Sequence, residues 1–216
     1  MQHAPMSRAR YMQENRKMRF QEAYDGWSEG RLTQAEAALL LGQCERSFRR
    51  HIERYQADAV TVNPYLGTDS LEPFLRTPNK GTIVLCRTSN EGSGQFQSQL
   101  IDNEPLYKHV ARAAANTWQH MGDTALVVGA TYPAELAEVR AIVGDMPLLV
   151  PGIGAQGGDL LNTVKNGLCS QGWGLLINSS RAILYANGTA SFASAAALEA
   201  RNTRDAIQAA KATALS

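Results

Sequence analysis

Length, composition and charge describe an ordinary globular chain. The chain has 216 residues, of which 44% are hydrophobic and 19% charged, and its formal net charge is +1, so a disordered class is not indicated. No apolar run is long enough to cross a bilayer and the polar start has no secretory h-region, so we expect a cytoplasmic protein without membrane contact. The three cysteines are too widely spaced for a disulfide framework or a zinc site, and we expect no metal and no cofactor.

Residues 1–56 form the first predicted domain, a small all-α head. They carry ten Lys and Arg against seven Asp and Glu, whereas residues 57–216 carry eleven against thirteen, so the basic excess is confined to the head. Their polar, Arg-rich sequence predicts a long helix over residues 8–24 that breaks at Asp25 and Gly26. A local basic excess favours contact with phosphates.

A helix-turn-helix is predicted in the second half of this head. Thr33 is an N-cap candidate, and Glu36 three residues later completes a capping-box signature. The first helix is predicted over residues 34–41 and stops at Gly42, and a second short helix over residues 45–55 follows a three-residue turn. The sequence LTQAEAALLLGQCERSFRRHIERY in this region resembles the amino-terminal helix-turn-helix of bacterial insertion-sequence transposases.

Four arginines lie on the second of these helices, where they would meet the phosphates or guanine edges of duplex DNA. They are Arg46, Arg49, Arg50 and Arg54. The alternative is an amphipathic surface helix whose apolar residues face a small core. Both interpretations stay open at this point.

Five short apolar segments in the second predicted domain, residues 57–216, are each followed by a loop. They are β-branched or leucine-rich and nearly continuous in apolarity, which is typical of parallel strands buried on both faces. The predicted strands are 57–62, 82–86, 125–128, 146–150 and 173–177, and the predicted helices are 69–75, 106–120, 133–143 and 158–170. This order predicts an α/β fold with its loops gathered at the carboxyl ends of the strands.

Two of these loops predict a phosphate site. The first runs from Pro151 to Asp159; its glycines allow backbone N–H groups to turn towards a ligand, and Gln156 adds a side-chain donor. The second, Asn178-Ser179-Ser180-Arg181, brings a guanidinium suited to bidentate contact with phosphate. A tight turn between strand and helix would also explain the glycines, but their combination with Ser180 and Arg181 in the next unit favours phosphate.

Five motifs in order, at suitable intervals, resemble the carboxyl-terminal part of orotidine 5′-phosphate decarboxylases of the longer bacterial subgroup. They are ADAVTVNPYLG, IVLCRTSNEGSG, VVGATYPAEL, LLVPGIGAQGGDL and INSSRAILYA. The resemblance implies a partial (β/α)8 TIM barrel of about five βα units, strands 4 to 8. It also implies a pyrimidine nucleoside monophosphate as ligand, and decarboxylation of orotidine monophosphate to uridine monophosphate in pyrimidine synthesis as the family reaction.

The same resemblance implies substrate-binding roles for individual residues. Gln156 and Arg181 would contact the phosphate, and Ser89 would hydrogen-bond the pyrimidine, although a serine in such a turn is as often a helix cap. The remaining members of the set would shape the pocket. The full set is Ser89, Pro151, Gly152, Gly154, Gln156, Gly157, Ser180 and Arg181.

The catalytic pattern of that family is missing from this sequence. Members of the family use an Asp-x-Lys-x-x-Asp pattern on the third barrel strand and a further Asp from a second subunit. None of the five lysines here stands in such a pattern. Because the lysine ammonium protonates the carbanion left by departing CO2, we assign no catalytic residue and expect a truncated chain that is inactive alone.

Five strands of an eight-stranded barrel leave two open edges, near Val60 and near Leu176. The amino-terminal helices, a second copy of the chain or a complementing barrel half would cover them. Three functions stay open: a nucleotide-binding member of the decarboxylase family, a DNA-binding protein of a mobile element, and a fusion of the two with neither activity.

Overall fold

A computed structural model describes residues 19–20, 22–23, 25–26, 31–41, 57–153, 159–186 and 191–215. The chain divides into two compact units, Met1–Ala57 and Asp58–Ser216. Some of the predicted functional residues lie outside the described part of the chain. They are Arg46, Arg49, Arg50 and Arg54 in the head, and Gly154, Gln156 and Gly157 in the glycine-rich loop.

In the amino-terminal unit, helix α1 spans Gln34–Leu40 and has the predicted capping box. The Thr33 hydroxyl accepts a hydrogen bond from the Glu36 N–H at 3.2 Å. The Glu36 carboxylate accepts one from the Thr33 N–H at 2.7 Å, so each residue satisfies a backbone donor of the other. These hydrogen bonds lower the pKa of the Glu36 carboxyl, the backbone bond to Thr33 contributing most.

Asp25 and Gly26, where the first helix was predicted to break, are both still helical, and the residues directly after them lie outside the described part of the chain. A Cβ at Gly26 would lie 2.6 Å from Leu32 Cδ1. Gly26 therefore packs closely against Leu32, and its carbonyl accepts a hydrogen bond from the Leu32 N–H at 2.8 Å. The small core of this unit contains the buried Ala23, Ala37 and Ala38, with Phe20, Leu32 and Leu41 packed around them.

The second unit is built on a five-stranded parallel sheet whose strands pair in chain order, which is the architecture predicted for five consecutive βα units. The strands are β1 (Ala59–Val62), β2 (Gly81–Arg87), β5 (Thr124–Val128), β6 (Leu148–Pro151) and β7 (Leu175–Asn178). An antiparallel hairpin of β3 (Leu100–Ile101) and β4 (Glu104–Pro105) was not predicted. Strands of two residues are too short to show a period-2 pattern.

Helices follow the strands of the sheet, as the repeating order predicted. They are α2 (Thr68–Leu75), α3 (Gly94–Gln97), α4 (Leu106–Asn116), α5 (Pro133–Val143), α6 (Leu160–Gly167), α7 (Ser180–Leu184) and α8 (Phe192–Leu215). The bounds of α5 agree with the prediction. The predictions of 106–120 and 158–170 were too long: α4 stops before a separate 3-10 turn at Trp118–His120, and Asp159 caps α6 from outside. The long, alanine-rich α8 was not predicted.

One face of the sheet holds the core. Side chains from the central strands, such as Val84, Leu126 and Leu148, are fully buried there against Leu71 of α2 and Leu136 of α5. Residues at the alternate positions point to the opposite face. There Ile83, Leu85 and Leu149 are half-buried and Leu176 is exposed, which fits the inner face of an incomplete barrel.

The outer strands of the sheet are less buried than its centre. All five residues of β5 are buried. Both β1 and β7 alternate between exposed and half-buried positions, and they form the two edges predicted near Val60 and Leu176. Among the described residues, no helix combines the length and apolarity needed to span a membrane.

Candidate functional site

A cavity of about 140 Å³ lies at the carboxyl ends of β6 and β7. Its lining residues come from the two loops predicted to hold phosphate: Pro151, Gly152, Ile153, Asn178, Ser179, Ser180, Arg181 and Ala182. The structure therefore brings together Pro151, Gly152, Ser180 and Arg181 from the predicted substrate-binding set. The register explains this proximity, because Pro151 pairs with Asn178 in the parallel ladder and both loops leave the sheet at the same level.

Local hydrogen bonds hold the walls of this cavity. The Ser179 hydroxyl is buried and donates to the Ile153 carbonyl at 3.5 Å, and the Ser180 hydroxyl donates to Asn178 Oδ1 at 3.0 Å. Gly152 has a φ of 101°, a conformation that strongly favours glycine at the point where the chain leaves β6. The described parts of the two loops, residues 152–153 and 178–180, are thus held by local hydrogen bonds and by the conformation of Gly152.

Arg181 supplies the positive charge of the cavity. It is exposed in the first turn of α7, and no acidic side chain among the described residues forms an ion pair with it. An exposed guanidinium beside Ser180 and the ends of two loops is suited to bind an anion.

Asp159, at the far end of the glycine-rich loop, acts as a helix cap. Its carboxylate accepts hydrogen bonds from the Asn162 N–H at 3.0 Å and from Asn162 Nδ2 at 2.6 Å. The pKa of this carboxyl is lowered, mainly by the hydrogen bond from the Asn162 backbone. A carboxylate that is held ionised and engaged with a helix end is a poor general base.

Ser89 lies half-buried in the loop after β2, one strand removed from β6 in the sheet. Neighbouring strands are about 4.8 Å apart, so the ends of β2 and β6 are on the order of 10 Å apart. Gly129, after β5, packs against the Ser89 backbone so closely that a Cβ there would lie 2.8 Å from Ser89 Cα. The loops after β2 and β5 are therefore in direct contact.

A buried arginine beside Ser89 was missed by the sequence reasoning. Arg87 is only 3% exposed and forms an ion pair with Glu135, at the start of α5. It also donates to the Ser93 hydroxyl and lies 3.9 Å from the centroid of the Tyr132 ring. The available signal was a charged residue closing the apolar run IVLCR, but its partners are distant in sequence.

A second, larger groove of about 710 Å³ lies near the ends of β1 and β2. It is lined mainly by apolar side chains, including Tyr65, Leu85, Phe96 and Trp118. His109 on this groove has its Nε2 atom 3.0 Å from the Ile101 carbonyl. The apolar lining is unsuited to a phosphate, so the smaller cavity at β6 and β7 is the better anion site.

Metal ligation is not indicated in the part of the chain that the structure describes. No group of three or more His, Cys, Asp and Glu side chains there is arranged to hold an ion. The buried Cys86 donates its thiol to the Tyr107 carbonyl, and burial raises the pKa of this thiol to about 12. Such a thiol is neither a ready metal ligand nor a ready nucleophile.

The fold and the site define a parallel α/β protein of the barrel type, with its candidate ligand site at the carboxyl ends of the strands. Residues 42–196 match the model of the Orotidine 5′-phosphate decarboxylase / HUMPS family. The chain belongs to this family, as its motifs predicted. The match begins at residue 42 and so includes the second predicted helix of the head.

Individual relatives agree with this assignment. The orotidine 5′-phosphate decarboxylase of Janthinobacterium sp. (strain Marseille) is 59% identical over 163 residues, which cover 76% of this chain and 60% of that protein. The enzyme of Azoarcus sp. (strain BH72) is 59% identical over 157 residues, covering 73% and 58%. The chain thus spans about 60% of the length of the curated relatives that it matches.

Solved structures give the same result. A putative orotidine-monophosphate decarboxylase from Toxoplasma gondii aligns with a TM-score of 0.68 at 36% identity, over 75% of this chain and 61% of that one. The UMP synthase of Leishmania donovani aligns with a TM-score of 0.64 at 42% identity, over 74% of this chain and 34% of that one. Both alignments support the partial-barrel architecture of the second unit.

Proposed function

We propose that this chain binds a pyrimidine nucleoside monophosphate at the carboxyl ends of its strands and does not decarboxylate orotidine monophosphate by itself. The observation that carries the proposal is the cavity at β6 and β7, with the exposed charge of Arg181 on its wall. Its relatives are named orotidine 5′-phosphate decarboxylases, so a nucleotide of that chemistry is the natural ligand to test.

The size of the cavity supports a phosphate rather than a whole nucleotide. Sites for drug-sized ligands occupy about 300–1,000 Å³, and this cavity is about 140 Å³. Arg181 and Ser180 would contact the phosphate from the β7 side. Gln156, Gly154 and Gly157 would contact it from the glycine-rich loop, with Pro151 and Gly152 shaping the wall between.

The pyrimidine would lie towards the loops after β2 and β5. Ser89 follows the carboxyl end of β2, and the cavity lies at the carboxyl ends of β6 and β7, so both are at the same edge of the parallel sheet. The separation between the ends of β2 and β6 leaves room for a ribose between the base and the phosphate. Ser89 would then hydrogen-bond the pyrimidine.

Catalysis is not expected, because the proton donor of the reaction has no counterpart here. Among the described lysines, Lys80 precedes β2, Lys108 lies in α4, Lys165 in α6 and Lys211 in α8, so none is at the carboxyl end of a strand. The Lys80 Nζ atom lies 3.6 Å from Asp58 Oδ1, and the Lys108 Nζ atom lies 3.1 Å from Glu138 Oε2. Binding contacts that are equal in the ground state and the transition state do not accelerate the chemical step.

The test is the thermal stability of the purified chain with increasing uridine monophosphate, together with calorimetric affinities. A ligand that binds only the folded state raises the melting temperature as its concentration exceeds the dissociation constant. Arg181→Ala should weaken binding about tenfold or more, since it removes a charge-assisted hydrogen bond. Arg201→Ala, an exposed arginine on α8, is the matched control and should bind as the unaltered chain does.

Two outcomes would contradict the proposal. The first is a cooperative melting transition that millimolar uridine monophosphate leaves unchanged. The second is release of CO2 from orotidine monophosphate by the purified chain, above the level of a preparation from cells that lack the gene.

DNA binding by the head is the second candidate function. The basic excess of residues 1–56 favours it. Arg49→Ala and Arg50→Ala should each weaken binding to duplex DNA and flatten its salt dependence, because each removes a phosphate contact. Arg201→Ala serves again as control, and retention on duplex DNA that does not respond to salt would exclude this function.

A further inference from the structure

Arg87 lies at an irregularity of the sheet. In the pairing of β2 with β5, Leu85 faces Val127 but Arg87 faces Val128, so β2 holds one residue more than its neighbour over this interval. Buried and half-buried side chains alternate along β2 until this point, where two consecutive residues, Cys86 and Arg87, are both buried. A bulge of this kind re-aims a side chain, and here it places a guanidinium inside the protein at the carboxyl end of a central strand.

The buried guanidinium joins two loops. Its Nε donates to the Glu135 carboxylate on α5, and its Nη1 donates to the Ser93 hydroxyl in the loop after β2. The guanidinium carbon lies over the ring of Tyr132, the residue immediately before α5, 3.9 Å from the ring centroid. Because Arg presents several donors in a rigid fork, one side chain holds both loops at the same time.

Ser89 lies within the segment that this network holds. On one side, the Thr88 N–H donates to Gln97 Oε1 at 2.9 Å, and on the other side Ser93 accepts the bond from Arg87. Beneath the segment, the Gly129 N–H donates to the Arg87 carbonyl at 2.7 Å. The chain is therefore held on both sides of Ser89. The Arg87 guanidinium makes the contact with Ser93, and the Arg87 backbone carbonyl makes the contact with Gly129.

We propose that Arg87 is a positioning residue for pyrimidine recognition: it holds the Ser89 loop against the loop after β5 so that Ser89 meets the base in a preformed geometry. This inference rests on the proposed nucleotide site. Arg87 is buried under its own loops and acts through Ser89. Loss of the network leaves the loop to be ordered upon binding, which weakens recognition of the base. The cavity proposed for the phosphate lies at β6 and β7, so its contribution to the binding affinity should not change when Arg87 is substituted.

The experiment separates the base from the phosphate by comparing two ligands. Calorimetry gives the affinities for uridine monophosphate and for ribose 5-phosphate, and their ratio measures the contribution of the base. In Arg87→Lys the charge is kept but the fork is lost, so this ratio should fall about three- to tenfold while the affinity for ribose 5-phosphate stays unchanged. Arg112→Lys, an exposed arginine paired with Glu104, is the matched control and should keep the ratio.

A double-mutant cycle tests whether Arg87 acts through Ser89. Ser89→Ala alone should lower the same ratio, and Arg87→Lys added to it should lower the ratio no further, because the group being positioned is already gone. Additive losses would overturn the inference. So would an equal loss for both ligands in Arg87→Lys, since that pattern describes general destabilisation of the fold.

The failure of the inference differs from the failure of the proposed function. If the unaltered chain binds neither ligand, or binds both equally, the proposed nucleotide site fails. If the unaltered chain prefers uridine monophosphate and Arg87→Lys keeps that preference, only the role of Arg87 fails. Should Arg87→Lys not fold, Ser93→Ala decides: a lower ratio supports the inference and an unchanged ratio overturns it.

Discussion

The centre of the sheet and its two edges follow the same βα pattern but differ in burial. β5 is covered on both faces, whereas β1 and β7 alternate between exposed and half-buried positions. Strands of similar local sequence thus differ because of their neighbours, and stability should be concentrated in β2, β5 and β6. The candidate site draws on both regions. The loop with Ser89 follows β2, an inner strand of the sheet, and the cavity at the ends of β6 and β7 lies at the β7 edge.

The largest difference in the loss of unfolding free energy is expected between substitutions of two leucines on these strands. Leu126 on β5 is fully buried, and Leu126→Ala should lower the free energy of unfolding by about 2–5 kcal/mol, because it removes buried methyl groups and leaves a cavity. Leu176 on β7 is 52% exposed, so Leu176→Ala should cost less than about 1 kcal/mol. Urea denaturation of both variants measures the contrast, and equal losses would contradict the distinction between centre and edge.

A smaller loss of unfolding free energy is expected for a substitution of Arg140. This side chain connects the segment before β7 to the segments around α6 and β6. Arg140 is 9% exposed, and its guanidinium donates to the carbonyls of Gly167 at 2.8 Å, Met146 at 2.6 Å and Gly174 at 3.2 Å. Burial lowers the pKa of this group. Arg140→Met removes this donor from the Gly167 and Met146 carbonyls, whereas the Gly174 carbonyl still accepts from the Leu148 N–H. The loss should cost about 2–4 kcal/mol in the same denaturation experiment.

Arg112→Met is the control for that variant. Arg112 is half-exposed in an ion pair with Glu104, and its loss should leave the denaturation midpoint within experimental error. If Arg112→Met were as destabilising as Arg140→Met, the anchoring role of Arg140 would have to be abandoned.

The smallest effect on stability concerns association through the edges. An unpaired strand with exposed apolar side chains is a template for pairing with another chain, so the protein should self-associate as its concentration rises. Leu176→Lys should reduce this association in sedimentation experiments with little change in unfolding free energy. Leu198→Lys, an exposed leucine on α8, should leave association unchanged, and if both variants dissociate the protein equally, the edge is not responsible.

Local patterns predicted much of the fold. The apolar runs gave all five strands to within a few residues, the bounds of α5 agreed, and the Thr33–Glu36 capping box formed as expected. The cavity at the ends of β6 and β7 was predictable because these strands are adjacent and parallel, which brings Pro151 and Arg181 together. In each case the interacting groups lie on one element or on two consecutive units.

What the sequence did not reveal depends on distant contacts or weak local signals. Arg87 and Glu135 are 48 residues apart, and the bulge that turns Arg87 inward exists only in the pairing of β2 with β5. Helix α8 buries only Ala195 and Ala210 along its length, so it has no apolar stripe to mark it, although alanine favours helix formation.

The order of strand pairing has a consequence for synthesis. Each strand of the five-stranded sheet pairs with the strand that comes before it along the chain. The nascent chain can therefore extend the sheet one βα unit at a time, and each new strand pairing closes a loop between neighbouring units. β7 is then the last strand of the five to dock. The cavity between β6 and β7 can be completed only after the chain up to Ala182 has left the ribosome.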